Sequence, residues 1–240
     1  MNEYFTEIAR ELEAWSAKIE KGEGVLSRFS KGAQAQMRKL MPQKIQDAIT
    51  AAMKQFISAV MYGSGYVSDF PDSSLSLAES DYVASKRFSA YKKAALGEGA
   101  AAGAGGFVGG LADLPALLGI KIKFLFDCAS VYGYDTSDPR ERVFMLLIFQ
   151  LAFSGHDHRL KAYRAIKDWD MDSQVNIDWE KLQVEYRDYL DIAKLVQLVP
   201  VIGAPVGAIA NWTLMEQLKE NAVNSYRMRR LKESGKKNRI

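Results

Sequence analysis

The sequence predicts an all-α fold, and three observations predict it. Apolar residues recur at spacings of three and four over long stretches, Asp and Pro stand where helices need to start, and no segment alternates β-branched with polar residues as a strand would. The expected architecture is a single multi-helix domain of about eight helices over residues 1–226, carrying two apolar Gly/Pro-rich helical hairpins, with a flexible basic tail at 227–240. With 240 residues, 48% hydrophobic and 25% charged, the chain can bury a sizeable core and is composed neither as a disordered nor as a multispanning membrane protein.

Taken in order, Phe5, Ile8, Leu12, Trp15 and Ile19 draw one stripe down a first helix, with Trp15 in the core, and Gly22 and Gly24 end it. A basic stretch (Arg28, Lys31, Arg38, Lys39) leads to Pro42, suited to the first turn of a second helix whose stripe is Ile45, Ile49, Met53, Phe56 and Val60. MYGSGYVSDFPDSS is a loop, and a third helix runs from about Ser76 to Leu96 into the first hairpin, GEGAAAGAGGFVGGLADLPALLG at 97–119. The single cysteine, Cys128, falls in KIKFLFDCASVYG and reads as a small buried thiol. Gly133 stops that helix; Asp138, Pro139 and Glu141 then spell a capping box, opening RVFMLLIFQLAF, which is apolar on most faces and so belongs at the centre. Gly155 closes it. A polar helix and the loop WDMDSQVNID follow, and Asp178 caps WEKLQVEYRDYLDIAKL.

The second hairpin lies in LVQLVPVIGAPVGAIANWTLM, twenty-one residues without a formal charge. Pro200 and Pro205 each remove a backbone donor, and Pro205 would break a helix, so the segment is expected to turn near Val201 to Ala204.

The glycines at 97–110 suggest chemistry that their context denies. Gly97, Gly99 and Ala102 satisfy a loose dinucleotide pattern, but KRFSAYKKAAL ahead of them reads as helix, and Leu111 stands where a Walker loop needs lysine. Gly99 with Gly103, Gly105 with Gly109, Gly106 with Gly110, and Gly203 with Gly207 are instead pairs four apart on one helix face, where glycine lets a second backbone approach. Asp113 interrupts the first run after fourteen uncharged residues, too few to cross a bilayer. Gly99, Gly103, Gly106, Gly110, Pro115, Pro200, Gly203, Gly207 and Trp212 are therefore the residues expected to pack the hairpins together or to meet lipid.

His156 and His158 in SGHDHRL have no second His/Cys cluster to complete a coordination shell, so neither a metal site nor a cofactor is expected. Neither a G-x-S-x-G elbow nor an H-E-x-x-H pair is present; Glu98, Asp113 and His156 are the best polar groups for catalysis, and Asp113 also reads as a helix N-cap. Residues 227–240 hold seven basic residues and one acidic, so the net charge of +3 divides into +6 for the tail and −3 for the rest. Arg227, Arg229, Arg230 and Lys232 are expected to meet anionic headgroups, with Trp212 and Tyr226 as an aromatic border. No stacking platform accompanies them, which argues against nucleic acid.

Four stretches together resemble the EcsC protein family: LMPQKIQDAI at 40–49, AALGEGAAAGAGGFVGGLADLPALLG at 94–119, YGYDTSDPRERVF at 132–144 and LVPVIGAPVGAIAN at 198–211. Pro205 departs from the family pattern as an additional break. The resemblance implies an intracellular helical protein that associates with membranes, beside a membrane transport system, and supplies no catalytic residues, although some members carry a hydrolase label. Charge from the third residue and the lack of an apolar stretch after it agree with a cytoplasmic protein at the inner face of a membrane. Three readings stay open: a non-catalytic peripheral protein whose partner is membrane lipid or a membrane protein complex, a hydrolase of a lipid-like substrate, and a soluble helical adaptor.

Overall fold

The computed structural model describes residues 3–22, 43–62, 73–104, 114–170 and 203–237. Among them lie seven helices and no strand: α1 (Glu3–Glu20), α2 (Gln43–Tyr62), α3 (Leu77–Ala104), α4 (Leu114–Val131), α5 (Pro139–Phe153), α6 (His156–Lys167) and α7 (Gly203–Lys237). The all-α expectation holds, and the expected count of eight is close. The loop at 63–72, the basic stretch before Pro42, Gly106, Gly110, Asp113, the Asp178-capped helix and Pro200 lie outside the described residues.

Local chemistry sets the helix ends. Ser76 and Glu79 form a reciprocal cap at the start of α3: the Ser76 amide donates to Glu79 Oε2 at 2.8 Å, and the Glu79 amide to Ser76 Oγ at 3.3 Å. Asp138 caps α5 as expected, accepting from the Arg140 amide at 2.8 Å, with Pro139 in the first position. Glu141 does not complete that box, because its carboxylate is buried against α7 instead. Gly22 and Gly133 end α1 and α4 at φ of +73° and +86°. Gly155, expected to close α5, does not: Ser154 is its C-cap and Gly155, at φ −66°, is the N-cap of α6.

Pro205 does not break a helix. It lies in the first turn of α7, where its missing N–H has no intrahelical acceptor, and the helix then runs unbroken for 35 residues, about 52 Å. The tail expected at 227–240 is likewise helical as far as Lys237.

α3 and α7 form a long antiparallel pair. Asp81 meets Arg227 and Lys92 meets Glu216, so equal steps down one helix match equal steps back along the other. α4 returns antiparallel to α3: Tyr132 donates to Asp81, Tyr91 donates to Asp127, and Phe88 meets Phe124 edge-on at 5.5 Å. α5 is central, packing on α2, α4, α6 and α7, with Phe56 of α2 at 4.0 Å from Phe149. α1 crosses α6 and α7 with Ile8, Trp15 and Ile19 buried, while Phe5 of the predicted stripe is exposed. Trp15 packs edge-on against Tyr163 and donates from Nε1 to Asn221 Oδ1 at 3.2 Å.

Gly97 lies in α3, exposed, and a methyl group added there meets nothing within 4 Å. Gly97→Ala is therefore expected to stabilise the protein by roughly 0.5–1 kcal/mol, the helix-propensity difference. Urea unfolding would register this as a raised midpoint at unchanged slope. A lowered midpoint would mean that this glycine is held by close packing after all.

Candidate functional site

Two features occupy opposite ends of the α3–α7 pair. The first is a polar junction built by YGYDTSDPRERVF and the carboxyl-terminal half of α7. Gly133 turns the chain so that the amides of Gly133 and Tyr134 donate to the carbonyls of Ser130 (2.9 Å) and Ala129 (3.0 Å). That turn brings Tyr132 and Tyr134 against Tyr226, with ring centroids 5.5 and 5.4 Å away in stacked arrangement.

Carboxylates and guanidiniums pair around this stack. Asp81 accepts from Tyr4 Oη at 2.5 Å, from Tyr132 Oη and from Arg227 Nε at 2.9 Å, and Arg227 also reaches Glu11 at 2.6 Å. Glu141 accepts from Tyr226 Oη at 2.8 Å and from Arg229 Nη1 at 2.6 Å; the Arg229 guanidinium also lies 3.6 Å from the Tyr134 ring centroid. Arg230 donates to the carbonyls of Tyr132 (2.7 Å) and Leu75 (2.9 Å), and Lys232 to that of Trp169 (3.0 Å). Burial pushes the Glu141 carboxyl up, opposed by the Arg229 charge and by hydrogen bonds from Arg229 and Tyr226.

Arg227, Arg229, Arg230 and Lys232, expected to meet anionic headgroups, lie in this junction. The three arginines donate to carboxylates and carbonyls of the fold, with only 4% of the Arg229 side chain exposed, while Lys232 is exposed. The residues that sequence reasoning missed are Asp81, Tyr132, Tyr134 and, as a buried acid, Glu141. The legible signal was the helical continuity of Leu214, Met215, Leu218, Ala222 and Tyr226 into the arginines.

Such a junction ties α1, α3, α5 and α7 together. Burial also pushes up the Cys128 thiol and the hydroxyls of Tyr4, Tyr132, Tyr134 and Tyr226, keeping them protonated. Of the three catalytic candidates, His156 is exposed at the start of α6, where a Cβ on Gly22 would come within 2.9 Å of its Nδ1. The Glu98 side chain and all of Asp113 lie outside the described residues. Among the described residues, no group of three or more His, Cys, Asp or Glu is placed to share a metal ion.

The second feature is the glycine-rich end. Gly99 and Gly103 fall in the last turns of α3, Gly203 and Gly207 in the first turns of α7, and Pro115 in the first turn of α4. Pro115, Ala116 and Gly97 are exposed, and so is Trp212, at 41%. The Lys92 ammonium lies 3.5 Å from the Trp212 ring centroid and pairs with Glu216, while Lys219 sits 4.8 Å over Phe88. No helix among the described residues is long and apolar enough to cross a membrane.

Comparison with known proteins gives the chain its relatives. "Protein EcsC" of Bacillus subtilis (strain 168) is 41% identical over 228 residues, which cover 95% of this chain and 96% of that protein. "Uncharacterized protein YdbA" of the same organism is 35% identical over 147 residues, 58% of this chain and 54% of its own. No solved structure matches. The model of the EcsC protein family matches residues 6–231. The chain belongs to the EcsC protein family.

Proposed function

We propose that this chain is a non-catalytic protein that associates peripherally with a membrane at its cytoplasmic face, entering the interface with its glycine-rich end. One observation carries the reading: three helix segments rich in Gly, Ala and Pro share one end of the molecule. The antiparallel register of α3 with α7, continued from Lys92 and Glu216, runs residues 97–104 alongside 204–211. The register of α3 with α4 brings the first turn of α4 to the same level. Glycines four apart on α3 and α7 then allow close backbone contact, so that a short apolar end can enter the interface without unpaired backbone groups. An end of this kind is too short to span and suits shallow insertion.

Co-sedimentation of the full chain with phosphatidylcholine vesicles, with and without one-third phosphatidylglycerol, tests this. The protein is expected to pellet with the vesicles, more strongly with the anionic ones. Protein left wholly in the supernatant with both compositions would sink the reading and favour the soluble adaptor.

A further inference from the structure

We propose that Trp212, Lys92 and Lys219 form the contact with an anionic phospholipid surface and fix the depth to which the glycine-rich end enters it. The inference rests on the membrane reading above. The carboxyl-terminal arginines, which a charge count nominates for headgroups, are tied up at the opposite end of the α3–α7 pair. Headgroup charge must then be met by cations nearer the apolar end, and Lys92 and Lys219 stand there.

Their setting supports that role. Trp212 is exposed although Leu214, Met215 and Leu218 in the next turns of α7 are buried. An indole left in water above a buried core is poorly placed, whereas at the headgroup level its ring meets acyl chains and its N–H meets water. Lys92 lies over the indole face and Lys219 over Phe88, so both cations ride on aromatic rings of the helix pair, with Lys219 about two turns of α7 beyond Trp212. The level of Trp212 is shared by other exposed small residues: the registers of α3 with α7 and with α4 put Gly97, Ala116 and Trp212 abreast. Glu216 is paired with Lys92, and a lipid phosphate would displace it.

Three variants test the assignment on vesicles of phosphatidylcholine with one-third phosphatidylglycerol, with helicity checked by circular dichroism. Each removed positive charge is expected to weaken partitioning about fivefold, so Lys92→Gln with Lys219→Gln loses roughly thirtyfold, with little change on neutral vesicles. Glu216→Gln is expected to strengthen it about fivefold. Brominated lipids are expected to quench part of the tryptophan fluorescence, and Trp212→Phe to remove that quenchable part. If the double lysine variant binds as the parent does, or if quenching survives in Trp212→Phe, this contact is overturned while membrane association stands. If the parent chain binds neither vesicle, the membrane reading and this contact fall together.

Discussion

Replacing Arg229 by alanine is expected to destabilise the protein by about 3–5 kcal/mol, the range for removing one partner of a buried ion pair. The side chains of Arg229 and Glu141 are 4% and 1% exposed, and Nη1 lies 2.6 Å from Oε2. Without the guanidinium, Glu141 keeps the Tyr226 hydroxyl as donor but loses the charge that opposes its desolvation. The sign of the pH dependence follows. In the variant, burial raises the folded carboxyl further above its ordinary value of 4.5, so the folded state holds a proton that the unfolded chain has released. Stability then falls as pH rises above about 4.5, and the deficit against the parent is larger at pH 7 than at pH 5.

Urea unfolding at the two pH values measures this through the midpoint. The double variant Glu141→Gln with Arg229→Met serves as the control, since removing both charges leaves no buried ion unpaired and Gln keeps an acceptor for Tyr226; Glu233, which loses Arg229 Nε at 3.1 Å, is 43% exposed and keeps the Tyr134 hydroxyl. It is expected to recover more than half of the loss, because an apolar replacement of a buried pair is often close to neutral. A loss below about 1 kcal/mol in Arg229→Ala, equal at both pH values, would show that the pair does not lock the junction.

That lock was the least legible part of the sequence, and the reason is the range of its contacts. Arg227 and Arg229 find carboxylates 146 and 88 residues away, so their surroundings in the chain show only a charge run. Glu141 misled for the complementary reason. A capping signature is a local preference of about 1 kcal/mol, and two donors from α7 outweigh it; at Ser76 and Glu79, exposed at a helix start, the local rule held. Periodicity did read well where one helix face decides burial, as in the nearly wholly buried α5 and the Ile8, Trp15, Ile19 stripe of α1. Pro205 shows what fixes a proline's meaning: its effect depends on the helix start, and that start lies within an apolar run that carries no local mark of it.

Replacing Lys121 by methionine is expected to stabilise the protein at neutral pH by on the order of 4 kcal/mol. Lys121 is 1% exposed in α4, with Nζ donating to the Leu117 carbonyl at 3.4 Å. Burial pushes its pKa down from an ordinary 10.5 to about 7. Above pH 7 the folded protein has released a proton that the unfolded chain still holds, so the parent's stability rises with pH, at a slope approaching about 1.4 kcal/mol per unit. Below pH 7 both states hold the proton and this contribution is flat. The window closes near pH 9, the ordinary value for the Cys128 thiol, because that thiol ionises in the unfolded chain while burial keeps it protonated in the folded one, which cancels the rise; the buried tyrosine hydroxyls, ordinarily near 10, then turn the slope downward in the same way. Methionine matches the unbranched stem, carries no charge and should remove the rise between pH 7 and 9 together with the penalty. Unfolding free energies of parent and variant across that interval decide the matter: a parent curve without the rise, or one that Lys121→Met leaves in place, would mean that Lys121 is solvated or paired within α4 and that its burial costs the fold nothing measurable.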